Sequence, residues 1–378
     1  MSDLNAESLE LHRFYGGKIA TALSIPLNNQ HDLSLAYTPG VAAVCQAVAA
    51  DKEAARTHTI KGRTIAVVSD GSAVLGLGNI GPVAALPVME GKCALFKKFA
   101  GVDAFPICLD TQDTEEIIKT VKYLAPVFGG INLEDIAAPR CFTIERRLQM
   151  ELDIPVMHDD QHGTAAVVLA ALINALKLRG SDRSDIKVVI SGAGAAGNAI
   201  ARLLFGYGVK NIIACDRQGA IYVGRPDLDK EKADLATFTN LGKQKGALAE
   251  VLVGADVFIG VSSAGLLTRE MVRTMAPKSL VFALANPVPE IMPDEAKAAG
   301  AFIVASGRSD FPNQINNVLI FPGVFRGALD NKVRQISDER LVKAAENLAA
   351  LVSVPRVDRI LPEPFTPGIA AAVAAAIK

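Results

Sequence analysis

Apolar residues follow two different spacings along the chain, and the spacing separates predicted strands from predicted helices. A continuous apolar run over Thr64–Ser69 predicts a buried strand, whereas apolar positions three and four apart over Thr114–Leu124 predict a helix with Thr114 at its start. From residue 186 onward, apolar runs alternate regularly with helical segments, which predicts a mainly parallel, doubly wound α/β sheet. The strands predicted for this second part are 186–190, 211–215, 257–261, 280–284 and 302–305.

The polar segment 181–185 (SDRSD) is the best linker by composition, because it separates this regular part from a less regular first part. Both ends of the chain have the apolar spacing of amphipathic helices, at 9–22 and 337–353. Since 9–22 precedes any predicted strand, we expect it to pack on a second copy of the chain. The first part adds predicted strands at 104–109 and 131–136, a strand end at 155–157, and helices at 143–151 and 164–178.

The composition is that of an ordinary globular chain of two domains: 378 residues, 50% hydrophobic and 21% charged, with a formal net charge of −1. No basic cluster that would attract nucleic acid stands out, and the apolar stretch 368–377 is too short to cross a bilayer. The five cysteines form no CxxC pair, so we expect reduced core residues in a cytoplasmic protein. Neither nucleic acid nor a membrane is an expected partner.

Two segments match the GxGxxG pattern, and their surroundings differ. The match at 76–81 has two prolines close behind it, which indicates a backbone-shaping loop. The match at 192–197 follows a predicted strand, opens a proline-free helix, and has Asp216 at the end of the next predicted strand. These features predict a dinucleotide site whose glycines admit the pyrophosphate and whose acid binds the ribose hydroxyls. A glycine turn that only packs against the sheet is the alternative.

Two pairs of acids follow predicted strands, Glu134-Asp135 and Asp159-Asp160. The carboxyl ends of parallel strands converge on one crevice, where clustered carboxylates favour a hard divalent cation. The alternative is that each pair lies in the first turn of a helix, where acids are common. His158 and His162 are four residues apart, but a zinc site is disfavoured because we expect the next helix to start near residue 163.

The chain resembles the malic enzymes of the compact bacterial type over nearly all of its length. The resemblance implies an N-terminal α/β malic-enzyme domain over 1–160 and a Rossmann-type NAD(P)-binding domain with C-terminal helices over 161–378. It also implies oxidative decarboxylation of (S)-malate to pyruvate and CO2, with NAD or NADP and with Mg²⁺ or Mn²⁺. The matching segments are LAYTPGV (35–41), VVSDGSAVLGLGNIG (67–81), PVMEGK (87–92), LEDIAAPR (133–140), HDDQHGTA (158–165), SGAGAAG (191–197), FALANP (282–287) and NQINNVLIFPG (313–323).

The resemblance carries the family's roles onto residues of this chain. Its metal ligands fall on Glu134, Asp135 and Asp160. Its lysine beside the substrate hydroxyl falls on Lys92, and its tyrosine that handles the enol proton falls on Tyr37. The remaining implied residues are Asp159 in support of Lys92 or the metal shell, the substrate amides Asn286 and Asn317, and the cofactor contacts Gly192, Gly194, Ala195, Ala196, Gly197, Asp216 and Asn316.

Residue type alone allows other interpretations: Lys92 as a lysine whose stem covers apolar surface, Tyr37 as a turn tyrosine, and Asn286 as a turn initiator. One position departs from the family. Larger members carry an arginine that contacts a substrate carboxylate where this chain has Ala73. We therefore expect some other group to neutralise that carboxylate, or a lower affinity for the diacid.

Two other functions stay open at this point. A redox-neutral malate decarboxylase, which retains its cofactor and makes lactate, would use the same residues. A catalytically silent nucleotide-binding regulator would be expected to lack a lysine, tyrosine or acid of the site, and this chain has them all. A homodimer or a dimer of dimers is the expected assembly.

Overall fold

The computed structural model describes residues 2–378, with side chains described from residue 4. The N-terminal segment, residues 2–63, is mostly helical and lies on the outside, since no side chain described between residues 4 and 63 is buried. Its helices are α1 (Ser2–Tyr15), α2 (Gln30–Ala36), α3 (Val41–Ala50) and α4 (Ala55–His58), with 3₁₀ turns at Lys52–Ala54 and Ile60–Arg63.

A four-stranded parallel sheet forms the first layered unit. Its strands are β1 (Thr64–Ser69), β2 (Asp103–Cys108), β3 (Gly130–Leu133) and β4 (Val156–His158), and its helices are α5 (Pro82–Ala100), α6 (Thr114–Leu124) and α7 (Arg140–Glu151), with a 3₁₀ turn at Ala125–Val127. The strand order is β2-β1-β3-β4. Leu133 pairs with His158, so the carboxyl ends of β3 and β4 lie side by side.

A six-stranded sheet forms the second unit. Its strands are β5 (Lys187–Ser191), β6 (Asn211–Asp216), β7 (Gly219–Ala220), β8 (Val257–Gly260), β9 (Leu280–Ala283) and β10 (Ile303–Ser306). The order is β10-β9-β8-β5-β6-β7, and only the short strand β7 among these is antiparallel. β5 has β6 on one side and β8 on the other, so the order in which strands are added to the sheet reverses at β5. Doubly wound sheets open a ligand crevice at this point.

One hydrophobic cluster joins the two units. The buried helix α8 and the C-terminal helices link the inner face of the first sheet to the second sheet. Phe96 of the first unit packs edge-on against Phe321 and Phe325, with ring centroids 4.6 and 5.5 Å apart. The helices that follow the first sheet are α8 (Asp159–Arg179), α9 (Ala195–Tyr207), α10 (Lys230–Ala236), α11 (Leu248–Leu252), α12 (Arg269–Thr274), α13 (Pro293–Ala298), α14 (Phe321–Asp330), α15 (Asp338–Ala350) and α16 (Ile369–Ala374), with a 3₁₀ turn at Asn317–Leu319.

Several predicted boundaries differ from the observed ones. The first helix ends at Tyr15, so 16–22 is not helical, and the strand predicted over 131–136 ends at Leu133. The helix predicted to start near residue 163 starts at Asp159, because the acids of its first turn stabilise the helix N-terminus. Helix α5 was not predicted as a helix, since Pro87 inside it is a helix breaker by sequence rules.

The prediction that the cysteines are core residues holds for only some of them. Cys93, Cys141 and Cys215 are buried, as expected of core residues, but Cys45 is exposed on α3 and Cys108 is half-buried. All five are free thiols. The expectation of core positions is therefore wrong for Cys45.

Two segments of the described chain, 30–50 and 159–179, have the length and hydropathy of a membrane-crossing helix. The second is the core helix α8, whose most apolar window is 78% buried. The first is unburied and consists of two helices of 7 and 10 residues separated by residues 37–40. A single helix needs about 20 residues to cross a bilayer, and neither α2 nor α3 reaches that length.

Asn174, in the middle of α8, anchors the C-terminal region. Its buried side-chain amide donates hydrogen bonds to the carbonyl oxygens of Ala349 (2.8 Å) and Ile360 (2.9 Å). Asn174→Ala should lower the free energy of unfolding by about 2–4 kcal/mol, because two buried carbonyls lose their donor. Urea unfolding measures this, with Lys177→Ala as the control, since that change removes only the contact to the Asn174 oxygen. Equal stability of the two variants would contradict this role.

Candidate active site

Three carboxylates meet where β3 and β4 end. Glu134 and Asp135 follow β3, and Asp160 lies in the first turn of α8 directly after β4. One oxygen from each of the three lies within 4.8 Å of the others. The backbone N–H of Asp135 donates to Asp160 Oδ2 (2.8 Å), and Asp135 has a φ of +54°. The pairing of β3 with β4 therefore builds the cluster that the sequence predicted.

Lys92 lies beside these acids, on α5. Its ammonium group contacts Asp159 Oδ2 at 2.6 Å and Glu134 Oε1 at 2.8 Å, and it lies 4.2 Å from the ring centroid of Phe321. The side chain is only 8% exposed. The interpretation of Lys92 as a surface lysine is therefore wrong, because its ammonium group is buried among the acids.

Asp159 connects the cluster to the second unit. Its side chain is fully buried, and the Oδ2 atom that accepts from Lys92 also accepts from Asn317 Nδ2 at 2.6 Å. A Cβ atom at Gly163, one turn along α8, would overlap Asp159 Oδ1, so the carboxylate needs that glycine. Asp159 thus holds Lys92 and Asn317 together, which is the supporting place that the resemblance implied.

Burial and mutual repulsion raise the pKa values of the acids. Burial raises the pKa of Glu134 well above its usual value although Lys92 opposes the shift, and burial together with Asp160 raises the pKa of Asp135 to about 8. Burial alone would lower the pKa of Lys92, but Asp159 and Glu134 outweigh burial and raise it. If fully ionised, the carboxylates would carry more negative charge than one lysine balances, so without a cation they tend to keep protons.

The donor set suits a hard divalent cation. Asp135 Oδ2 and Asp159 Oδ1 are buried without a hydrogen-bond partner among the described residues. Such orphaned oxygens are costly unless a cation or a proton meets them. All ligand atoms of this cluster are carboxylate oxygens, which Mg²⁺ and Mn²⁺ prefer, and His158 is not part of it.

A cleft of about 810 Å³ opens over the acid cluster and runs between the two sheets. It is also lined by three side-chain amides of the second unit, Asn286, Asn316 and Asn317. The first GxGxxG segment forms part of its wall: a Cβ at Gly76 would overlap the Asn286 carbonyl oxygen, and Gly76 has a φ of +73°. That segment is therefore a loop of the cleft, and the glycines let it approach the opposite wall.

An adjacent cleft is built on the second GxGxxG segment. It is lined by Gly192, Gly194 and Asp216, while Ala195 and Ala196 at the start of α9 line the first cleft, so the two are continuous at the helix N-terminus. Gly197 lies against the turn that precedes α9, because a Cβ at this position would overlap the Gly192 carbonyl oxygen. This is the arrangement in which a helix N-terminus receives a pyrophosphate.

Asp216 has neighbours that the sequence did not predict. Both of its carboxylate oxygens accept hydrogen bonds from Arg225, and Lys232 Nζ lies 3.2 Å from Oδ2. Burial alone would raise the pKa of Asp216, but the bonds from Arg225 and other donors outweigh it and lower the pKa. No local motif marks Arg225 in the sequence, since its contact spans a turn of irregular structure.

Glu290 is a second residue that sequence reasoning missed. Its fully buried carboxylate accepts the backbone N–H groups of Ser262 (2.9 Å) and Ala285 (3.0 Å), which follow β8 and β9. Ser262 and Ala285 both line the first cleft. Glu290 therefore fixes the distance between two strand ends that form the cleft wall.

Tyr37 does not join the other predicted residues. It lies between α2 and α3 with 68% of its surface exposed, and it is outside both clefts. The surrounding apolar residues Leu33 and Leu35 are also exposed. A catalytic place for Tyr37 within the cleft of its own chain is therefore not what this structure shows.

The protein is a two-unit α/β protein. The second unit has a Rossmann-type nucleotide fold, with a cleft at the carboxyl ends of its strands. Residues 16–149 match the family model of the malic enzyme N-terminal domain, and residues 161–377 match that of the malic enzyme NAD binding domain. The chain belongs to the malic enzyme family. The implied fold of an N-terminal malic-enzyme unit followed by a Rossmann-type unit is confirmed.

Two bacterial relatives match over most of their own length. The bifunctional malic/malolactic enzyme of Bacillus subtilis is 56% identical over 99% of this chain and 92% of that protein. The NAD-dependent malic enzyme of Geobacillus stearothermophilus is 57% identical over 93% of this chain and 73% of that protein. The crystal structure of the NAD-dependent malic enzyme of Thermotoga maritima superposes with a TM-score of 0.94 at 52% identity, covering 98% of each chain.

The raised pKa of Asp135 makes the stability of the metal-free protein depend on pH. A carboxyl whose folded-state pKa is raised contributes stability below the unfolded value of 3.8, and loses it as the pH rises through about 8. In chelator, the melting temperature of wild type should therefore fall between pH 6 and 8 relative to that of Asp135→Asn. The difference corresponds to about 2 kcal/mol.

Asp294→Asn, a change at an exposed first-turn acid of α13, is the control and should keep the wild-type slope. Parallel pH profiles of wild type and Asp135→Asn would show that the Asp135 carboxyl is not perturbed.

Proposed function

We propose that the chain oxidatively decarboxylates (S)-malate to pyruvate and CO2 with reduction of NAD. The observation that carries this proposal is that Lys92 and three clustered carboxylates line the first cleft, which is continuous with the cleft built on the second GxGxxG segment. A 2-hydroxy acid held there would present its carbon-bound hydrogen toward the nucleotide side. Family membership and the NAD-dependent relatives support the same reaction.

The chain's residues divide the work between binding and proton transfer. A divalent cation, Mg²⁺ or Mn²⁺, held by Glu134, Asp135 and Asp160 would act as a Lewis acid on the substrate and offset the charges that now raise the pKa of Lys92. Lys92 takes the proton of the 2-hydroxyl group while hydride leaves C2 for the nicotinamide. Asp159 keeps the lysine in place through the contact of its buried carboxylate with Lys92 Nζ at 2.6 Å.

The amides complete the two binding subsites. Asn317 is held by Asp159 and faces the cleft beside Lys92, so we assign it, with Asn286, to the substrate. Asn316 lines the same cleft, and its side-chain oxygen accepts the N–H of Val318, so we assign it to the cofactor side, where its amide nitrogen is the free donor. These assignments stay predictions.

NAD is the proposed cofactor, with NADP as the second choice. Asp216 lies in the nucleotide cleft and disfavours a 2′-phosphate by repulsion. Arg225 and Lys232 partly neutralise it, and Arg217 lines the same cleft, so the repulsion is weaker than that of an isolated aspartate. We therefore expect NAD to be preferred, with measurable turnover of NADP.

A second candidate is the redox-neutral conversion of malate to lactate with the cofactor retained. The observation in its favour is the similarity to the bifunctional malic/malolactic enzyme of Bacillus subtilis. The two reactions differ in their products, because reduced cofactor accumulates with pyruvate but not with lactate. Product analysis during turnover therefore separates them.

An assay with malate, NAD and Mn²⁺ tests the main proposal. Pyruvate and NADH should form in equal amounts, chelator should stop the reaction, and NADP should replace NAD with lower efficiency. Asp160→Ala should reduce turnover at least roughly 100-fold, because it removes one of three predicted metal ligands. Asp153→Ala, at an exposed acid outside the cluster, should leave activity unchanged. Full activity of Asp160→Ala, or of wild type in excess chelator, would remove the metal from the proposal.

A homodimer explains the N-terminal segment and Tyr37 together. The segment carries exposed apolar side chains, Leu33, Leu35 and Tyr37 among them, and no described side chain from residue 4 to residue 63 is buried. Exposed apolar surface of this kind marks an interface, and closed twofold pairing is the usual assembly. In such a dimer Tyr37 of one chain enters the cleft of the other and supplies the proton to C3 of the enol.

Mixed dimers of two inactive variants test this arrangement. Tyr37→Phe and Lys92→Ala should each be inactive in the full reaction, with a loss of about 10²–10⁴-fold expected for a proton-transfer group. Co-refolding equal amounts should restore about a quarter of the wild-type activity, because half of the dimers are mixed and each has one complete site. No recovery would mean that Tyr37 and Lys92 act within one chain. A monomer in light scattering would contradict the dimer.

We infer a cytoplasmic enzyme from the five free thiols, three of them buried. We also propose that the N-terminal domain ends at residue 160 and that the NAD(P)-binding domain begins at residue 161. The family models support a division near this point, since one ends at residue 149 and the next begins at residue 161.

A further inference from the structure

The charge of the cleft leaves one substrate group without a partner. Four carboxylates surround Lys92, which already contacts Asp159 and Glu134. A divalent cation would balance only part of the remaining negative charge. Malate brings two further carboxylates, and Ala73, in the wall of the cleft, offers no charge to meet either of them.

Lys18 is the other cation in this cleft. Among the described residues that line it, Lys18 and Lys92 are the only lysines, and no arginine lines it. Lys18 lies in the loop after α1, and that loop is fixed to α5 because the backbone N–H of Lys18 donates to Glu90 Oε2 (3.1 Å). Its ammonium nitrogen would lie 4.0 Å from a Cβ atom placed on Gly91, the residue before Lys92.

The ammonium group of Lys18 has donors to spare. Its Nζ donates to the carbonyl oxygen of Pro87 at 2.6 Å, which is its one hydrogen bond to the described residues. An ammonium has three donors, so two remain to meet an anion. The Pro87 contact holds the group against α5 on the cleft side, and the exposed loop leaves it open to a ligand.

We propose that Lys18 binds the malate carboxylate that lies away from the acid cluster and thereby selects 2-hydroxy diacids over 2-hydroxy monoacids. The inference rests on the proposed function, because it assigns a residue to the substrate of that reaction. Lys18 is a specificity-determining residue in this scheme and takes no part in proton or hydride transfer. The contact exists in the bound substrate and through hydride transfer and ends only when that carboxylate leaves as CO2, so its loss should act on KM more than on kcat.

The test compares Lys18→Ala, Lys18→Arg and the control Lys98→Ala, which removes an exposed lysine of α5 outside the cleft. Lys18→Ala should raise KM for malate roughly 10- to 100-fold, the size expected for a charged hydrogen bond, with kcat changed less than about threefold. The preference for malate over lactate as substrate should fall by the same factor. Lys18→Arg should keep most of the preference, and Lys98→Ala should keep all of it.

A second variant separates charge from structure. Ala73 is exposed in the same cleft, and its N–H donates to the Asp135 carbonyl oxygen at 2.9 Å, so an arginine there would bring a cation to the cleft by another route. Lys18→Ala/Ala73→Arg should regain malate affinity over Lys18→Ala. Binding is also read without turnover, as the rise in melting temperature caused by malate with Mn²⁺ and no nucleotide, and Lys18→Ala should lose that rise.

Three outcomes would overturn the proposal. One is an unchanged KM in Lys18→Ala. Another is a loss that affects malate and lactate equally. The third is a lower melting temperature of Lys18→Ala without ligand, with no rescue by Ala73→Arg, which would show that Lys18 only fastens the loop to α5. Failure of the proposed function is a different result, namely wild type that does not turn over malate at all.

Discussion

The contact of Lys92 and Asn317 with one oxygen of Asp159 ties together three distant parts of the chain. Asp159 is in the first turn of α8, Lys92 is in the middle of α5, and Asn317 begins a turn before α14. A fully buried carboxylate is costly without such partners, so the fold must bring all three together or leave a charge unpaired. The first cleft and the acid cluster both lie beside the Asp159 carboxylate, where the two sheets meet.

Much of the fold is predictable from the sequence, because local spacing determines it. The second sheet follows from alternating apolar runs, and its crevice from the glycines at 192–197. The first unit is harder. Helix α5 contains Pro87, which by local rules ends a helix, yet it persists because buried residues such as Phe96 pack on the core. Tertiary packing overrides the local signal there.

The residues of the candidate site also differ in how well local sequence patterns predict them. Acids placed after strand ends, such as Glu134 and Asp160, are brought together by strand pairing that the pattern predicts. Arg225 beside Asp216 depends on an irregular turn, and Lys18 on a loop that crosses to α5, so no spacing rule reaches either of them. Tyr37 lies outside the cleft of its own chain, and the sequence of a single chain does not show what meets an exposed side chain.

The hydrophobic cluster that runs from the first sheet through α8 to the second sheet has a mechanical consequence. Two units joined only by a flexible linker rotate about a hinge, but here Phe96 is locked between Phe321 and Phe325 across the junction. Opening the cleft by rigid rotation would expose that aromatic contact to water. Substrate entry and product release should therefore proceed by small sliding of packed helices and movement of surface loops, and the two units should unfold as one cooperative body.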